Sequence, residues 1–346
     1  MKAENFDYTA LPENAFELQH NDIHAHMDTN FASQNYWKDA AIRFLRNKGA
    51  IIGIILIAII AFFAIFGPKM TPYTYDSQEI TQQNLSPRIK GLEWLGFNGK
   101  ETIKIGEVEL EKDGYEGKFD DVYYWFGSDQ LGRDIFTRVW EGTRISLYIA
   151  VIAVCIDILF GLSYGLVSGY FGGRLDSIMQ RCAEILNSIP NLVIVTLMIL
   201  VLSPGLGAII VALMITGWIP MSRIARAQML KLKEQEFVLA SKTLGAGPLR
   251  VIFKEIMPNI IGQIITQTMF SIPHAIFTEA FLAFVGLGIP APMASLGTLI
   301  SDSYKSFTTH PYMILSPLIV LALLMLSFNL VADGLRDALD PKQKDM

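Results

Sequence analysis

The sequence predicts an all-α integral membrane protein with six transmembrane helices and a small β-like external insertion. Of its 346 residues, 51% are hydrophobic and only 18% are charged, whereas soluble domains carry about a quarter charged residues. The mean hydropathy is +0.37. A membrane-spanning helix needs about 20 mostly apolar residues. The apolar runs that meet this requirement lie at 49–66, 145–167, 185–202, 206–220, 260–284 and 312–331.

The basic residues predict how these helices are oriented. Lysine and arginine cluster before the first run, between the second and third, between the fourth and fifth, and after the sixth, while the turn at 203–205 carries no charge. Basic residues favour the cytoplasmic side of a membrane. We therefore expect a multi-pass protein of the cell membrane with both termini in the cytoplasm. The first run follows a long polar tail, which indicates a retained anchor rather than a cleaved signal peptide.

The segments outside the helices have distinct compositions. Residues 1–33 are polar and predict a disordered cytoplasmic tail, and residues 34–48 predict an amphipathic helix in the membrane interface. The first span is assigned to 49–67. Residues 68–143 predict an external loop, in which alternating residues near 102–110 indicate a β-hairpin insertion. The core of the protein is expected at 144–335, followed by a cytoplasmic tail at 336–346.

Composition and motifs exclude several classes of site. The tail histidines His20, His24 and His26 are close enough to chelate a metal, but an unstructured tail explains them more simply. Cys155 and Cys182 form neither a disulfide framework nor a metal site, so we interpret them as small packing residues. The net charge of −5 gives no footprint for nucleic acid. The sequence contains no phosphate-binding loop and no arrangement of catalytic residues.

The connection between the fourth and fifth runs, residues 223–259, is too long and too basic for a simple turn. It predicts a helix over 231–244 that ends at Gly245. A second helix is expected to start near Pro248, which favours a first helical turn, and to end before Pro258. Two short helices around a glycine corner form a rigid protrusion that can transmit motion from a soluble partner to the membrane helices.

This connection resembles the EAA loop of ABC importer permeases. The family pattern is Glu-Ala-Ala, three residues, a glycine, and Leu-Pro about a dozen residues later. The matching positions are Leu239, Ala240, Ser241, Gly245, Met257 and Pro258. Leu239 replaces the usual acid and Met257 the usual leucine, while the spacing from Gly245 to Pro258 is intact. The resemblance implies that this cytoplasmic coupling loop docks on an ATPase subunit.

Other stretches resemble the oligopeptide and dipeptide permeases of the same superfamily. They lie at 126–138 with 142–147, at 172–176 with Arg181, Glu184 and Pro190, at 284–292, and at 329–341. The chain is similar to the C-type membrane subunit from residue 35 to 342, apart from the external insertion.

The resemblance implies the permease subunit of an ATP-driven importer for oligopeptides or dipeptides. Its implied partners are a second homologous permease, two ABC ATPase subunits, an extracytoplasmic substrate-binding protein, the peptide and membrane lipid. The chain itself is expected to be non-catalytic and to bind no cofactor, with ATP and Mg²⁺ held by the ATPase subunits. The nearest alternative keeps this fold and carries a nickel chelate, glutathione or another small solute. A channel, a secondary transporter or a membrane enzyme explains the coupling loop less well.

Several polar residues are candidate functional groups. Asp129, Arg133 and Asp134 lie outside the second run, where they either form an external gate or docking surface or cap the helix. Glu279, together with His274 and Ser271, is a candidate for the transport path, because carboxylates at membrane depth usually face a wet cavity or a protein interior. The alternative role for Glu279 is a hydrogen bond between helices.

A second intramembrane acid, Asp157, lies in the second run. For this residue we favour the structural role over a place on the transport path.

Overall fold

The computed structural model describes residues 36–339, except 106–107, 116–117 and 120. The predictions for residues 1–33, including the three histidines, and for 340–346 lie outside the described residues. The described part of the chain forms a bundle of helices with one small sheet. The helices are α1 (Tyr36–Arg46), α2 (Lys48–Phe66), α3 (Ile135–Ile156), α4 (Ser163–Phe171), α5 (Gly173–Ser188), α6 (Asn191–Leu202), α7 (Leu206–Thr216), α8 (Ile219–Leu232), α9 (Glu236–Thr243), α10 (Pro248–Arg250), α11 (Met257–Leu282), α12 (Leu296–Tyr304) and α13 (Tyr312–Leu339).

Some of these helices are continuous with one another. A wider π-helical segment, Asp157–Leu162, joins α3 to α4, and a second one, Val251–Ile256, joins α10 to α11. Among the described residues, five helical stretches are long and apolar enough to cross a membrane: Lys48–Lys69, Ile135–Phe171, Leu206–Leu232, Pro248–Leu287 and Tyr312–Leu339. The helices α5 and α6 make a sixth span if they are counted as one bent unit.

The predicted third span is wrong as a single helix. α5 and α6 are bent by 80° at the break between them, and Ile189 has an extended backbone there. Pro190 causes the break, because its ring disfavours a helical conformation for the preceding residue. The predicted span at 185–202 is therefore divided between the end of α5 and the whole of α6.

Two boundaries of the predicted loops also differ. α3 begins at Ile135, so residues 135–143 belong to a helix and not to the external loop. Its start is set by Asp134, whose side chain accepts a hydrogen bond from the Thr137 backbone N–H. α13 continues to Leu339, so the predicted tail at 336–346 begins later than expected.

The two helices predicted in the basic connection have different limits in the structure. Residues 231–232 end α8, and a turn at 233–235 separates them from α9. The helix that begins at Pro248 does not end before Pro258, because the wide π-helical turn lets the chain pass the proline without a break. The Asn259 side chain donates a hydrogen bond to the Glu255 carbonyl at 2.6 Å, which satisfies one of the carbonyls near the proline.

The bundle has two ends that differ in what they carry. One end carries the basic connection and is called the basic end; the opposite end carries the α2–α3 connection and is called the loop end. At the loop end, β1 (Lys100–Ile105) pairs antiparallel with β2 (Val108–Asp113). His310, between α12 and α13, contacts Glu101 of β1 with 2.8 Å between Nδ1 and Oε2, so the small sheet is attached to the helical bundle.

Glycines bring α8 close to the α3–α4 helix. Gly161, Gly165 and Gly169 recur every four residues and face α8 along its length. A Cβ at Gly165 would lie 2.2 Å from the Ser222 carbonyl oxygen, so only glycine fits at this contact. Small residues at this spacing are typical of closely packed helices in membranes. The two cysteines, in contrast, are free and exposed, so the prediction that they are packing residues is wrong for the isolated chain, because both lie on outward faces of their helices.

Candidate functional site

A cavity of about 560 Å³ lies among the helices of the bundle. Its walls come from α3, the bend between α5 and α6, the end of α7, and α11. Asn187 and Asn191, on either side of the bend at Pro190, both lie on this wall. The polar residues lining the cavity are Asp157, Asn187, Asn191, Thr216, Gln267, Ser271, His274 and Thr278.

α11 supplies one polar face to this cavity. Residues three or four apart lie on the same side of a helix, and Gln263, Gln267, Ser271, His274 and Thr278 follow that spacing. Gln267 also lines a second cavity of about 360 Å³, toward the basic end, together with Gln263 and other polar groups of α8 and α13. The polar face of α11 therefore borders a groove that runs from the middle of the bundle to its basic end.

An apolar cluster closes the other end of the large cavity. Ile149, Ile209, Leu213 and Ile289 pack together and are buried. Leu213 also lines the large cavity. Ile145, which packs against the same cluster, lines a smaller cavity of about 210 Å³ at the loop end. The cluster thus separates two cavities that share one face of α3.

Only some of the residues predicted for the transport path line the large cavity. Ser271 and His274 line the large cavity, and so does Asp157, which we expected to have a structural role. Glu279 does not line it. Its side chain is fully buried, and Oε2 accepts a hydrogen bond from the Ser146 hydroxyl at 3.3 Å. Glu279 lies where α3, α11 and the start of α12 meet. This position fits the alternative role of Glu279, a hydrogen bond between helices.

The charged residues outside α3 are held by contacts within the protein. Asp129 accepts hydrogen bonds from the backbone and side-chain N–H groups of Arg133, the latter at 2.6 Å. Arg133 is 6% exposed and Asp134 is 1% exposed. Asp134 caps α3 and also accepts a hydrogen bond from the Thr137 hydroxyl at 2.5 Å. These contacts fit the capping alternative and leave little of the three side chains available to a partner.

The loop between α9 and α10 is exposed and apolar at its tip. Gly245 has a φ of +88°, a conformation that side-chain-bearing residues rarely adopt. Leu244 beside it is 89% exposed and Leu249 is 71% exposed. Leu239, at the position of the family's acid, and Ala240 are also on the surface.

Other residues of this loop hold it to the bundle. The Ser241 hydroxyl donates a hydrogen bond to Glu255 at 3.0 Å, which attaches α9 to the π-helical segment. Val238 is buried in a cluster with Val251 and Ile256, and Met257 packs against that cluster. Pro258 remains exposed. The loop is thus a supported protrusion with an apolar tip.

An ion pair supports the same end of the bundle. The Arg226 guanidinium of α8 donates two hydrogen bonds to the Asp176 carboxylate of α5, at 2.6 and 2.5 Å. The Ser168 hydroxyl also contacts Asp176. The Lys233 ammonium donates to the Gly169 carbonyl at 3.0 Å. These contacts hold α5 and the start of the protrusion to the α4–α8 pair.

Comparison with known proteins identifies the protein family of this chain. Residues 158–345 match the family model described as the inner membrane component of binding-protein-dependent transport systems. Residues 35–87 match the model for the N-terminal TM domain of oligopeptide transport permease C. The chain is 43% identical over 332 residues to the oligopeptide transport system permease protein OppC of Bacillus subtilis (strain 168), covering 96% of this chain and 98% of that protein. The chain belongs to the oligopeptide and dipeptide permease family of ABC transporters.

The permease is also similar to a second protein of the same organism. It is 42% identical over 311 residues to the dipeptide transport system permease protein DppC of Bacillus subtilis (strain 168), covering 90% of the permease and 87% of that protein. Among solved structures, the MetNI methionine ABC transporter in inward-facing conformations has a TM-score of 0.50 and 19% identity, covering 59% of the permease and 96% of that chain. This structural likeness shows the fold alone.

The family assignment confirms the recognition made from the sequence motifs and the helical membrane fold. The permease is a multi-pass membrane protein of a transport system, and such systems include ATPase and substrate-binding partners. Sequence reasoning missed the amide groups of the cavity, Gln263, Gln267, Asn187 and Asn191. The first two have a detectable signal, because they continue the spacing of Ser271 and His274 along one apolar helix. The two asparagines also lie four residues apart, but whether they face the cavity depends on the bend at Pro190, which was not predicted.

Proposed function

We propose that this permease forms half of the translocation path of an ATP-driven importer for oligopeptides or dipeptides. The observation that carries the proposal is a polar cavity that continues to the basic end of the bundle and is closed by an apolar cluster toward the loop end. A path that is accessible from one side and closed on the other is what alternating access requires. The relatives named as oligopeptide and dipeptide permeases support the peptide as substrate.

The orientation follows from the charges. The basic end carries the lysines and arginines of the 223–259 connection, and such residues favour the cytoplasm. We therefore place the protrusion and both termini in the cytoplasm and the small sheet outside the cell. In this orientation the cavity is accessible from the cytoplasm, and the cluster of Ile149, Ile209, Leu213 and Ile289 is the closed external gate.

The lining of the cavity supports a peptide as cargo. Its amide and hydroxyl side chains can donate to and accept from peptide backbone groups whatever the sequence of the peptide. All of these walls belong to one subunit, and a second homologous permease supplies the other half of the path. An extracytoplasmic substrate-binding protein delivers the peptide to the loop end.

Coupling to ATP takes place at the protrusion. Leu244, Leu249 and Phe253 expose apolar surface on a cytoplasmic element, which fits a docking site for one of two ATPase subunits. Leu239, Ala240, Ser241, Gly245, Met257 and Pro258 form the loop as the family motif implies, with Leu239 making an apolar contact in place of the usual acid. The permease itself is non-catalytic and binds no cofactor, and ATP with Mg²⁺ is bound by the ATPase subunits.

The proposal is tested by peptide uptake in cells that lack this chain. The cells are complemented with wild type, with Leu244→Asp, or with Leu244→Met as the matched control. Burying a leucine contributes about 1.5–3 kcal/mol, so a charge at this position should lower uptake at least about tenfold and reduce copurification of the ATPase subunits. Leu244→Met should support normal uptake.

The peptide assignment and the docking of the ATPase would be contradicted by different results. If cells without the chain take up peptides normally and contain no second peptide importer, the peptide assignment is wrong. If Leu244→Asp reaches the membrane in normal amounts and supports full uptake, the protrusion does not dock the ATPase through this residue.

A further inference from the structure

Asp157 has an unusual position for a carboxylate. It is the first residue of the π-helical segment between α3 and α4, and it lines the large cavity although its relative exposure is only 4%. A π-helical turn adds a residue to the helix and changes which side chains face a given direction, and such turns are frequent at functional sites. Here the turn falls where α3 borders the cavity.

The surroundings of Asp157 contain no fixed positive charge. The residues that line the cavity, all within the described part of the chain, include no lysine and no arginine. Ser271 and His274 face Asp157 from α11. Carboxylates at membrane depth are energetically costly and usually face a protein interior or a water-filled cavity. An acid without a permanent cationic partner, on the wall of a transport cavity, is suited to a cation that arrives with the cargo.

We propose that Asp157 binds the ammonium group of a peptide during its passage. This inference rests on the proposed function and specifies the substrate chemistry of the same cavity. The ammonium group is either the free amino terminus or a lysine side chain, because both present the same charge and the same three N–H donors. A carboxylate attracts such a group more strongly in a poorly solvated cavity than in water.

The other polar groups of the cavity have a complementary role. Gln267, Asn187 and Asn191 are neutral amides, which hydrogen-bond the peptide backbone without selecting a side chain. Asp157 is the one carboxylate among the described residues that line the cavity. The structure therefore assigns the selection of charge at this point of the path to Asp157 and the sequence-independent contacts to the amides.

The test uses the complete transporter in proteoliposomes, with binding protein saturated by each peptide. The uptake of trialanine is compared with that of its analogue lacking the amino group, and the uptake of Ala-Lys-Ala with that of Ala-norleucine-Ala. Asp157→Asn should lower the ratio of charged to uncharged peptide at least about tenfold relative to wild type. A change in the first pair identifies the amino terminus as the ligand, and a change in the second pair identifies the lysine side chain.

Three further variants control the experiment. Asp157→Glu keeps the charge and should retain most of the ratio. Glu279→Gln removes another buried carboxylate that does not line the cavity, so it should leave both ratios unchanged. Ser271→Lys places a fixed ammonium opposite Asp157 without altering that residue, and should lower the ratios as Asp157→Asn does. This last variant also decides the question if Asp157→Asn fails to assemble.

The experiment gives different results if the proposed function is wrong and if only the role of Asp157 is wrong. If the wild-type transporter moves none of the peptides, the proposed function is wrong. If wild type transports them and both ratios are unchanged in Asp157→Asn and in Ser271→Lys, the peptide permease stands and the role of Asp157 is overturned.

Discussion

Asp134 shows how one side chain sets the start of a membrane helix. Its carboxylate accepts hydrogen bonds from the Thr137 backbone N–H at 2.9 Å and from the Thr137 hydroxyl at 2.5 Å. The Thr71 hydroxyl, from the α2–α3 connection, lies 3.5 Å from the same carboxylate oxygen. The residue therefore satisfies free N–H groups at the start of α3 and attaches the connection to the helix.

Replacing Asp134 should destabilise the permease by a predictable amount. Loss of an N-cap costs about 0.5–2 kcal/mol, so Asp134→Ala should lower the apparent Tm of the protein in detergent. Asp134→Asn keeps an oxygen that can cap α3 and serves as the matched control. An unchanged Tm in Asp134→Ala would contradict the capping role.

The same residue predicts a pH dependence. Burial raises the pKa of Asp134 above its ordinary value, because the loss of solvation outweighs the hydrogen bonds from Thr137 and Thr71. An acid with a raised pKa in the folded state contributes stability below its unfolded pKa of about 3.9. That contribution is lost as the pH rises through the folded pKa. The Tm of wild type relative to Asp134→Asn should therefore fall as the pH is raised from about 4, and a rise would contradict this sign.

Single residues also show where sequence reasoning reaches its limit. The sequence identified both intramembrane acids, left Glu279 open between the path and an interhelical hydrogen bond, and favoured a structural role for Asp157. The structure buries Glu279 between helices and places Asp157 on the cavity. The membrane depth of an acid does not show whether it borders a cavity, because that depends on how the helices pack. Asp157 also begins a π-helical turn. No feature of the local sequence predicts that turn.

At the scale of helices, the contact between α4 and α8 depends on three glycines. Gly161, Gly165 and Gly169 let the two backbones approach so closely that added Cβ atoms would lie 2.6, 2.2 and 2.7 Å from their nearest neighbours. α8 also carries Arg226, which binds Asp176 of α5, and it ends where the protrusion begins. Close packing here therefore fixes the base on which the protrusion stands.

A pair of glycine substitutions separates packing from helix propensity. Gly165→Ala places its Cβ against a backbone carbonyl, and such overpacking typically costs about 1–3 kcal/mol. Gly207 of α7 has no atom within 4 Å of an added Cβ, so Gly207→Ala should be neutral or stabilise by up to about 1 kcal/mol. We expect the apparent Tm to fall for Gly165→Ala and not for Gly207→Ala. Equal effects of the two changes would contradict the close packing of α4 on α8.

The sequence predicted the apolar cores of the helices better than their ends. Every apolar run lies mostly in helix in the structure, because the length and composition of a membrane span are strongly constrained. The ends and breaks depend on tertiary contacts. The cap at Asp134 and the exact effect of each proline are of this kind: Pro190 divides a predicted span, whereas Pro258 does not interrupt its helix. Proline alone predicts neither outcome, because the surrounding turn geometry decides whether the helix continues.

At the scale of the whole molecule, the continuous helix from Pro248 to Leu282 joins the protrusion to the cavity. The sequence predicted a break before Pro258, which would have separated the two. Because the helix is unbroken, it connects the protrusion to the face that carries Gln267, Ser271 and His274, as the proposed coupling to ATP requires. The apolar cluster around Ile149 borders the large cavity through Leu213. The proposed docking site, the cavity and the proposed gate are thus connected through neighbouring helices.

The central claim is that this chain forms a peptide path driven by ATP. The most direct measurement is the accumulation of labelled trialanine in proteoliposomes that contain the complete transporter, with ATP supplied on the side of the ATPase subunits and binding protein on the other. We predict accumulation on the ATPase side with ATP and none with a non-hydrolysable analogue. Equal movement of the peptide with and without ATP hydrolysis would contradict ATP-driven import and indicate a passive channel.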